Sequence, residues 1–124
     1  MRLDFSQSRF ADCILQNRKS TTIRKDSRNR WNEGSPIQFW SRLVNDPNPE
    51  GFCFGNGIVS KIIPVKIFPL VNTIVVDGIM IADPERLNAF AIKDGFDDWN
   101  DMKNFFPEDF RGKLITWKDF KSSI

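Results

Sequence analysis

Residues 52–81 read FCFGNGIVSKIIPVKIFPLVNTIVVDGIMI, and this stretch decides the fold. β-Branched and aromatic residues dominate it, which favours extended backbone over helix. Turn formers divide it into expected strands at Phe52–Phe54, Ile58–Ile63, Val65–Phe68, Thr73–Val76 and Ile79–Ile81. Pro64 and Pro69 mark bends or strand edges, because proline lacks the N–H that a ladder uses. Asp77-Gly78 tolerates positive φ at both positions and predicts a hairpin between the last two strands. The most apolar part, Ile62 to Val76, is interrupted by Pro64, Lys66, Pro69 and Asn72 and is too short to span a bilayer.

Upstream, Ser6 to Gln16 carries Phe10/Ile14 and Ala11/Leu15 four residues apart, one face of a helix. Asn17 is placed to cap it in the left-handed conformation. Lys19 to Arg24 is β-branched and predicts a strand leaving that helix. Ser27 to Glu33 reads as a loop, Pro36 to Leu43 as a strand, and Asn45 to Gly51, with two prolines, as a loop. Downstream, Asp83-Pro84 opens a helix through Leu87, Phe90 and Ala91 that Gly95 ends. Asp97 or Asp98 caps a second helix carrying Trp99, Met102, Phe105 and Phe106, which Pro107 stops. Lys113 to Trp117 is a closing strand. One domain over residues 1–124 is expected, of class α+β: a small, partly open β-barrel with an N-terminal helix and two short helices before the last strand.

The chain has 124 residues, 40% hydrophobic, with 12 Phe and 4 Trp to build a core. It contains no His, which excludes Ser-His-Asp and Cys-His catalysis and His-bound zinc. Cys13 and Cys53 are too few for a Cys-only zinc site and sit among apolar residues, so buried free thiols are expected, with no metal. Met1 to Phe5 carries no apolar leader stretch, and a cytoplasmic location without membrane contact is expected. Net charge is +2, unevenly spread: residues 1–30 hold eight Lys and Arg against three Asp. Arg18, Lys19, Arg24, Lys25, Arg28 and Arg30 form a basic cluster suited to phosphates. Trp31, directly after it in a polar stretch, suits stacking on an unpaired base or anchoring the loop. The acidic run Asp94, Asp97, Asp98, Asp101, Glu108 and Asp109 reads as a helix N-terminus and an exposed face.

Three segments bear a family resemblance. Phe10, then Ile14 through Arg24, is similar to the N-terminal signature of the ASCH domain. Lys93-Asp94-Gly95-Phe96-Asp97-Asp98-Trp99 is similar to that family's Glu-Gly-Phe-x-x-Trp segment, and Leu114 to Trp117 to its closing strand. The resemblance implies a PUA-like barrel whose cleft binds RNA or a modified nucleoside. It also implies, for small amidohydrolase members that deacetylate acetylated cytidine, working residues at Lys19, Thr22 and Asp94. The chain departs from the pattern at Asn17, where a Gly is usual, and at Asp94, where a Glu is usual. A carboxylate displaced by about 1 Å costs on the order of a hundredfold in rate.

Without histidine, amide hydrolysis can use Thr22 as nucleophile once a nearby base takes its proton. Lys19 and Thr22 would face opposite ways on a straight strand, so Lys19 is expected in the turn before it. Burial near Arg18 or Arg24 favours neutral lysine. Asp94 can instead activate water or protonate the leaving nitrogen, and Arg24 can hold an oxyanion or a phosphate. Three functions follow as expectations: a cleft for RNA or a modified nucleoside formed by Lys19, Thr22, Arg24 and Asp94, with Arg18, Lys25, Arg28, Arg30 and Trp31 around it; an amidohydrolase built on Lys19, Thr22 and Asp94; and a small monomeric scaffold that grips a protein partner through its charged faces. No cofactor is expected.

Overall fold

The computed structural model describes residues 1–25, 31–41 and 51–124. In chain order these form β1 (Arg2–Phe5), α1 (Ser8–Leu15), β2 (Thr21–Arg24), β3 (Pro36–Ser41), β4 (Phe52–Phe68), a 3₁₀ turn (Pro69–Val71), β5 (Thr73–Val76), β6 (Ile79–Ile81), α2 (Pro84–Lys93), α3 (Trp99–Phe105) and β7 (Phe110–Ser122). The protein is α+β.

β4 organises everything. The three strands expected from Phe52 to Phe68 are one 17-residue strand. One of its edges bonds antiparallel to β7 over Gly55–Ile67. The other bonds to β3 over Phe52–Ile58 and to β5 over Val65–Phe68. Pro64 does not break β4, for a geometric reason. Its carbonyl accepts from the Asp77 N–H on the β5 side (2.9 Å), and in an antiparallel strand a residue's N–H and C=O point the same way. The missing N–H therefore falls beyond the last β5 pair, where no ladder bond is lost. The Gly55-Asn56-Gly57 stretch does not end β4 either. Gly55 lets the Phe120 ring lie on the backbone, where a Cβ would come within 2.5 Å of it.

The expected β-barrel is not formed as a closed barrel. Among the described residues β1, β2 and β6 each bond one neighbour, parallel to β3, antiparallel to β7 and antiparallel to β5 respectively, so the seven strands make an open, branched sheet. β1 was not foreseen; Leu3 and Phe5 point into the core while Arg2 is exposed and Asp4 half-buried. The core runs from these through Ile37, Phe39, Phe54, Val59, Val65, Ile67, Ile74 and Ile115 to Leu87 and Met102 on the helices. Phe39 is wholly buried, edge-on to Trp117 and Phe120 at 5.0 and 5.2 Å between ring centres. Each such ring pair is worth about 0.5–1.5 kcal/mol beyond its burial.

The helix signals are realised locally. Asn17 is left-handed (φ 59°) just past α1. The Asp83 carboxylate accepts from the Arg86 N–H at 3.1 Å and caps α2, and Asp98 does the same for α3 through the Asp101 N–H at 2.8 Å. Asp77 and Gly78 both have positive φ, 51° and 79°, which the β5–β6 hairpin requires. The expected loop at Asn45 to Gly51 and the end of the Pro36–Leu43 strand lie mostly outside the described residues. Cys13 and Cys53 are free but half-buried rather than buried, so the apolar neighbours in sequence do not fully cover them. No helix among the described residues is long and apolar enough to cross a membrane.

Candidate functional site

The turn from α1 into β2 meets the end of α2. Asp94 is the residue that closes α2, where carbonyls lack intrahelical partners and the helix dipole is negative. Three consecutive residues answer that need. The Lys19 ammonium donates to the Asp94 main-chain carbonyl, the Ser20 N–H donates to the Lys93 carbonyl at 2.9 Å, and the Thr21 hydroxyl donates to Asp94 Oδ1 at 2.8 Å. Lys19 Nζ also lies 3.7 Å from Asp94 Oδ1, with both side chains almost completely buried. Segments 75 residues apart are thereby joined through a buried ion pair.

Gly95 makes the join possible. Its φ of +96° turns the chain away from α2. A Cβ there would stand 2.7 Å from Lys19 Cδ and 3.0 Å from Phe10 Cδ1. Gly95→Ala is therefore expected to lower stability by about 1–3 kcal/mol, through both the left-handed backbone and the crowding. A denaturant titration against the parent protein measures it; an unchanged midpoint would mean that Lys19 is not held there.

Burial shapes the charges. Desolvation lowers the Lys19 ammonium from 10.5 to about 8, with Arg24 adding to the fall and Asp94 opposing it. Desolvation raises the Asp94 carboxyl from 3.8 to about 6, against the pull of Lys19, the Thr21 hydroxyl and Arg24. Arg24 is lowered as well, again through burial. The missing methylene of Asp94 does not leave it short of partners here, since its carboxylate already reaches Thr21 and Lys19.

Lys19, Thr22, Arg24 and Asp94 line one pocket of about 110 Å³ together with Asp4, Phe5, Phe10 and Phe96. That is room for several waters or one small planar ring. Phe105, 43% exposed, stands in the same wall and packs against Phe10, Phe96 and Phe106 at 4.9–5.8 Å between ring centres. Thr22 is buried and its hydroxyl oxygen accepts from Arg24 Nε at 3.3 Å. The Arg24 guanidinium lies over the Phe5 ring at 4.8 Å, and the Lys19 ammonium 5.1 Å from the Phe10 ring centre. Low-dielectric walls strengthen every charge–charge contact inside such a pocket.

The other candidate residues lie elsewhere. Arg18 and Lys25 are exposed and do not line the pocket. Arg28 and Arg30 fall outside the described residues. Trp31 is half-buried and packs against the hydrophobic core, as a loop anchor does. The acidic run divides: Asp97, Asp98, Glu108 and Asp109 are exposed, Asp101 pairs with Arg9 at 2.6 Å, and Asp94 alone is buried. Among the described residues no group of three or more His, Cys, Asp or Glu is placed to hold a metal ion. Sequence reasoning missed Thr21 as the partner of Asp94 and missed Phe5, Phe10 and Phe105 as pocket walls. One signal for Thr21 was present: neighbours on a strand face opposite ways, so Thr21 and Thr22 meet different partners, Asp94 Oδ1 and Arg24 Nε. No family model matches the chain, and no curated protein or solved structure matches it.

Proposed function

We propose that the chain is an ASCH-like domain of PUA-like type whose pocket takes the base of a nucleoside, free or at an unpaired position in RNA. The observation that carries this reading is the buried Lys19–Asp94 pair opening onto an aromatic-walled pocket with Arg24 at its side. Keeping both charges buried is expensive, and burial together with perturbed acidities concentrates at functional sites. The phenyl walls offer faces for a flat ring, while Asp94 and Thr22 offer an acceptor and a hydroxyl for its polar edge. Arg24, with Lys25, Arg28 and Arg30 beside it in the sequence, suits a phosphate attached to the sugar. The pocket's size favours a pyrimidine over a purine.

The test is calorimetric titration with cytidine monophosphate. Arg24→Gln is expected to weaken binding by about tenfold or more, the loss of a charge-assisted hydrogen bond. Absence of binding by the parent protein, or affinity indifferent to Arg24→Gln, would contradict the reading.

The close contact of the pair favours a second reading, hydrolysis of the acetyl amide of acetylated cytidine, in which the Lys19 proton first passes to Asp94 Oδ1, 3.7 Å away. Neutral Lys19 removes the Thr22 proton as the Thr22 oxygen adds to the amide carbon. Arg24, already bonded to that oxygen, faces the developing negative charge. Protonated Asp94 donates to the leaving cytosine nitrogen, and water then releases acetate from the threonine ester. Release of cytidine from acetylcytidine separates this reading from simple binding.

A further inference from the structure

We propose that Lys19 is also the reactive amine of a distinct chemistry: imine formation with a small 2-oxo acid held in the same pocket. The inference stands apart from the nucleoside reading, because it rests on the amine and its neighbours and is tested without any nucleoside.

Imine formation makes four demands: an amine that can shed its proton, an acid to expel water, an anchor for the electrophile and a site closed to bulk solvent. Lys19 is 4% exposed and borders the pocket, so a reagent reaches its nitrogen through that pocket. Rings of Phe10 and Phe5 stand 5.1 and 5.8 Å from it. Burial among such walls disfavours the ammonium form, as the lowered pKa of Lys19 reflects. The acid is Asp94, whose Oδ1 is 3.7 Å from Lys19 Nζ and whose raised pKa lets it take up the proton that Lys19 sheds. The anchor is Arg24. Its Nε donates to Thr22, and Asp94 and Asp4 act on its charge from beyond ion-pair distance, so among the described residues no carboxylate is paired with its fork. Its fork is therefore placed to take a carboxylate. A pocket of about 110 Å³ admits an acid of a few carbons and excludes a long chain.

The step balances without an outside reagent. The Lys19 nitrogen lone pair adds to the ketone or aldehyde carbon, and the carbonyl oxygen gains a proton as the nitrogen loses one, giving a carbinolamine. Its hydroxyl then takes the Asp94 proton and leaves as water while the nitrogen lone pair forms the C=N bond. The product is an iminium ion beside the Asp94 carboxylate, an ion pair of the same sign arrangement as the one it replaces.

The experiment uses the intact protein, glyoxylate and sodium cyanoborohydride, which reduces an imine to a stable carboxymethyl group on lysine. Peptide mass mapping is expected to find the first group added on Lys19, ahead of exposed lysines such as Lys25, Lys61 and Lys66. The charged and titratable groups facing Lys19 are Asp94, Arg24 and Cys13; because the step uses one proton held by the Lys19–Asp94 pair, labelling of Lys19 should be fastest between about pH 6 and 8, whereas exposed lysines label faster as the pH rises further. In the parent protein, the rate ratio of glyoxylate to uncharged propionaldehyde should be about tenfold higher at Lys19 than at exposed Lys61, because only the acid meets the Arg24 fork. Labelling that begins on exposed lysines, a Lys19 rate that keeps rising to pH 10.5, or the same aldehyde ratio at Lys19 and Lys61 would overturn the proposal. The mapping on the parent protein needs no variant, so a misfolded substitution does not blunt the test.

Discussion

Replacing Asp94 by Ala is expected to destabilise the protein by about 3–5 kcal/mol, the penalty for removing one partner of a buried pair. The Lys19 ammonium would remain within aromatic walls with only a main-chain carbonyl to face, and the Thr21 hydroxyl would lose its acceptor. Domains of this kind are stable by about 5–15 kcal/mol, so the variant would lie near the threshold of folding. Lys19→Met combined with Asp94→Leu should recover much of the loss, because well-packed apolar replacements remove the desolvation penalty of both charges. Urea unfolding of the parent, the single variant and the double variant measures all three. A loss under about 1 kcal/mol for Asp94→Ala would show that the pair is solvated and that α2 is not tied to β2 through it.

The second large effect is a stability profile opposite to that of an ordinary salt bridge. Asp94 is raised from 3.8 to about 6, so its favourable contribution is full below 3.8 and lost as the pH rises through 6. Lys19 is lowered from 10.5 to about 8, so its contribution is full above 10.5 and lost as the pH falls through 8. Between 6 and 8 both groups are charged and both contributions are absent. The difference in unfolding free energy between the parent and the Lys19→Met/Asp94→Leu variant should therefore favour the parent least in that window. It should rise by on the order of 2–3 kcal/mol toward each end. Subtracting the double variant removes the titration of the remaining groups. A difference that peaks between 6 and 8 would mean that attraction within the pair outweighs burial, and the acidities assigned here would be wrong.

The features legible in the sequence are those decided over a few residues. Asp77-Gly78 dictates its own turn, and β5 and β6 have the bounds read from their β-branched runs. Asp83-Pro84 and Asp98 dictate helix starts through hydrogen bonds three residues long. β1 was not legible, because four residues of alternation are too few to announce a strand and its partner, β3, lies more than thirty residues on. The unbroken β4 was hidden for a different reason. Whether a proline ends a strand depends on which edge its missing N–H faces, and β5 decides that from outside the strand. Closure into a barrel is likewise a matter of edge pairing, which composition does not encode.

The site shows the same division. The lysine, the threonine and the arginine stand close in sequence, and the turn before β2 was expected to hold Lys19. Asp94 by composition belongs to an acidic run that reads as a solvated face. Only the resemblance to a family motif singled it out, and its burial follows from the end of α2 meeting the Lys19–Thr21 segment. The phenyl walls come from β1, α1, α3 and Phe96 between the last two helices, brought together by the sheet and its helices, and no local spacing foretells that. For Trp31 the polar neighbours leave base stacking and loop anchoring both open, and its indole packs on the core that those neighbours conceal in the sequence.

The pocket as a nucleoside site is tested most directly by following the backbone amide signals of the labelled protein in solution during titration with cytidine monophosphate. The proposed site requires saturable shifts concentrated at Lys19, Thr22, Arg24, Asp94, Phe96 and Phe105, with β5 and β6 undisturbed. Saturable shifts centred on another face, or none at concentrations where the amide spectrum remains intact, would contradict it.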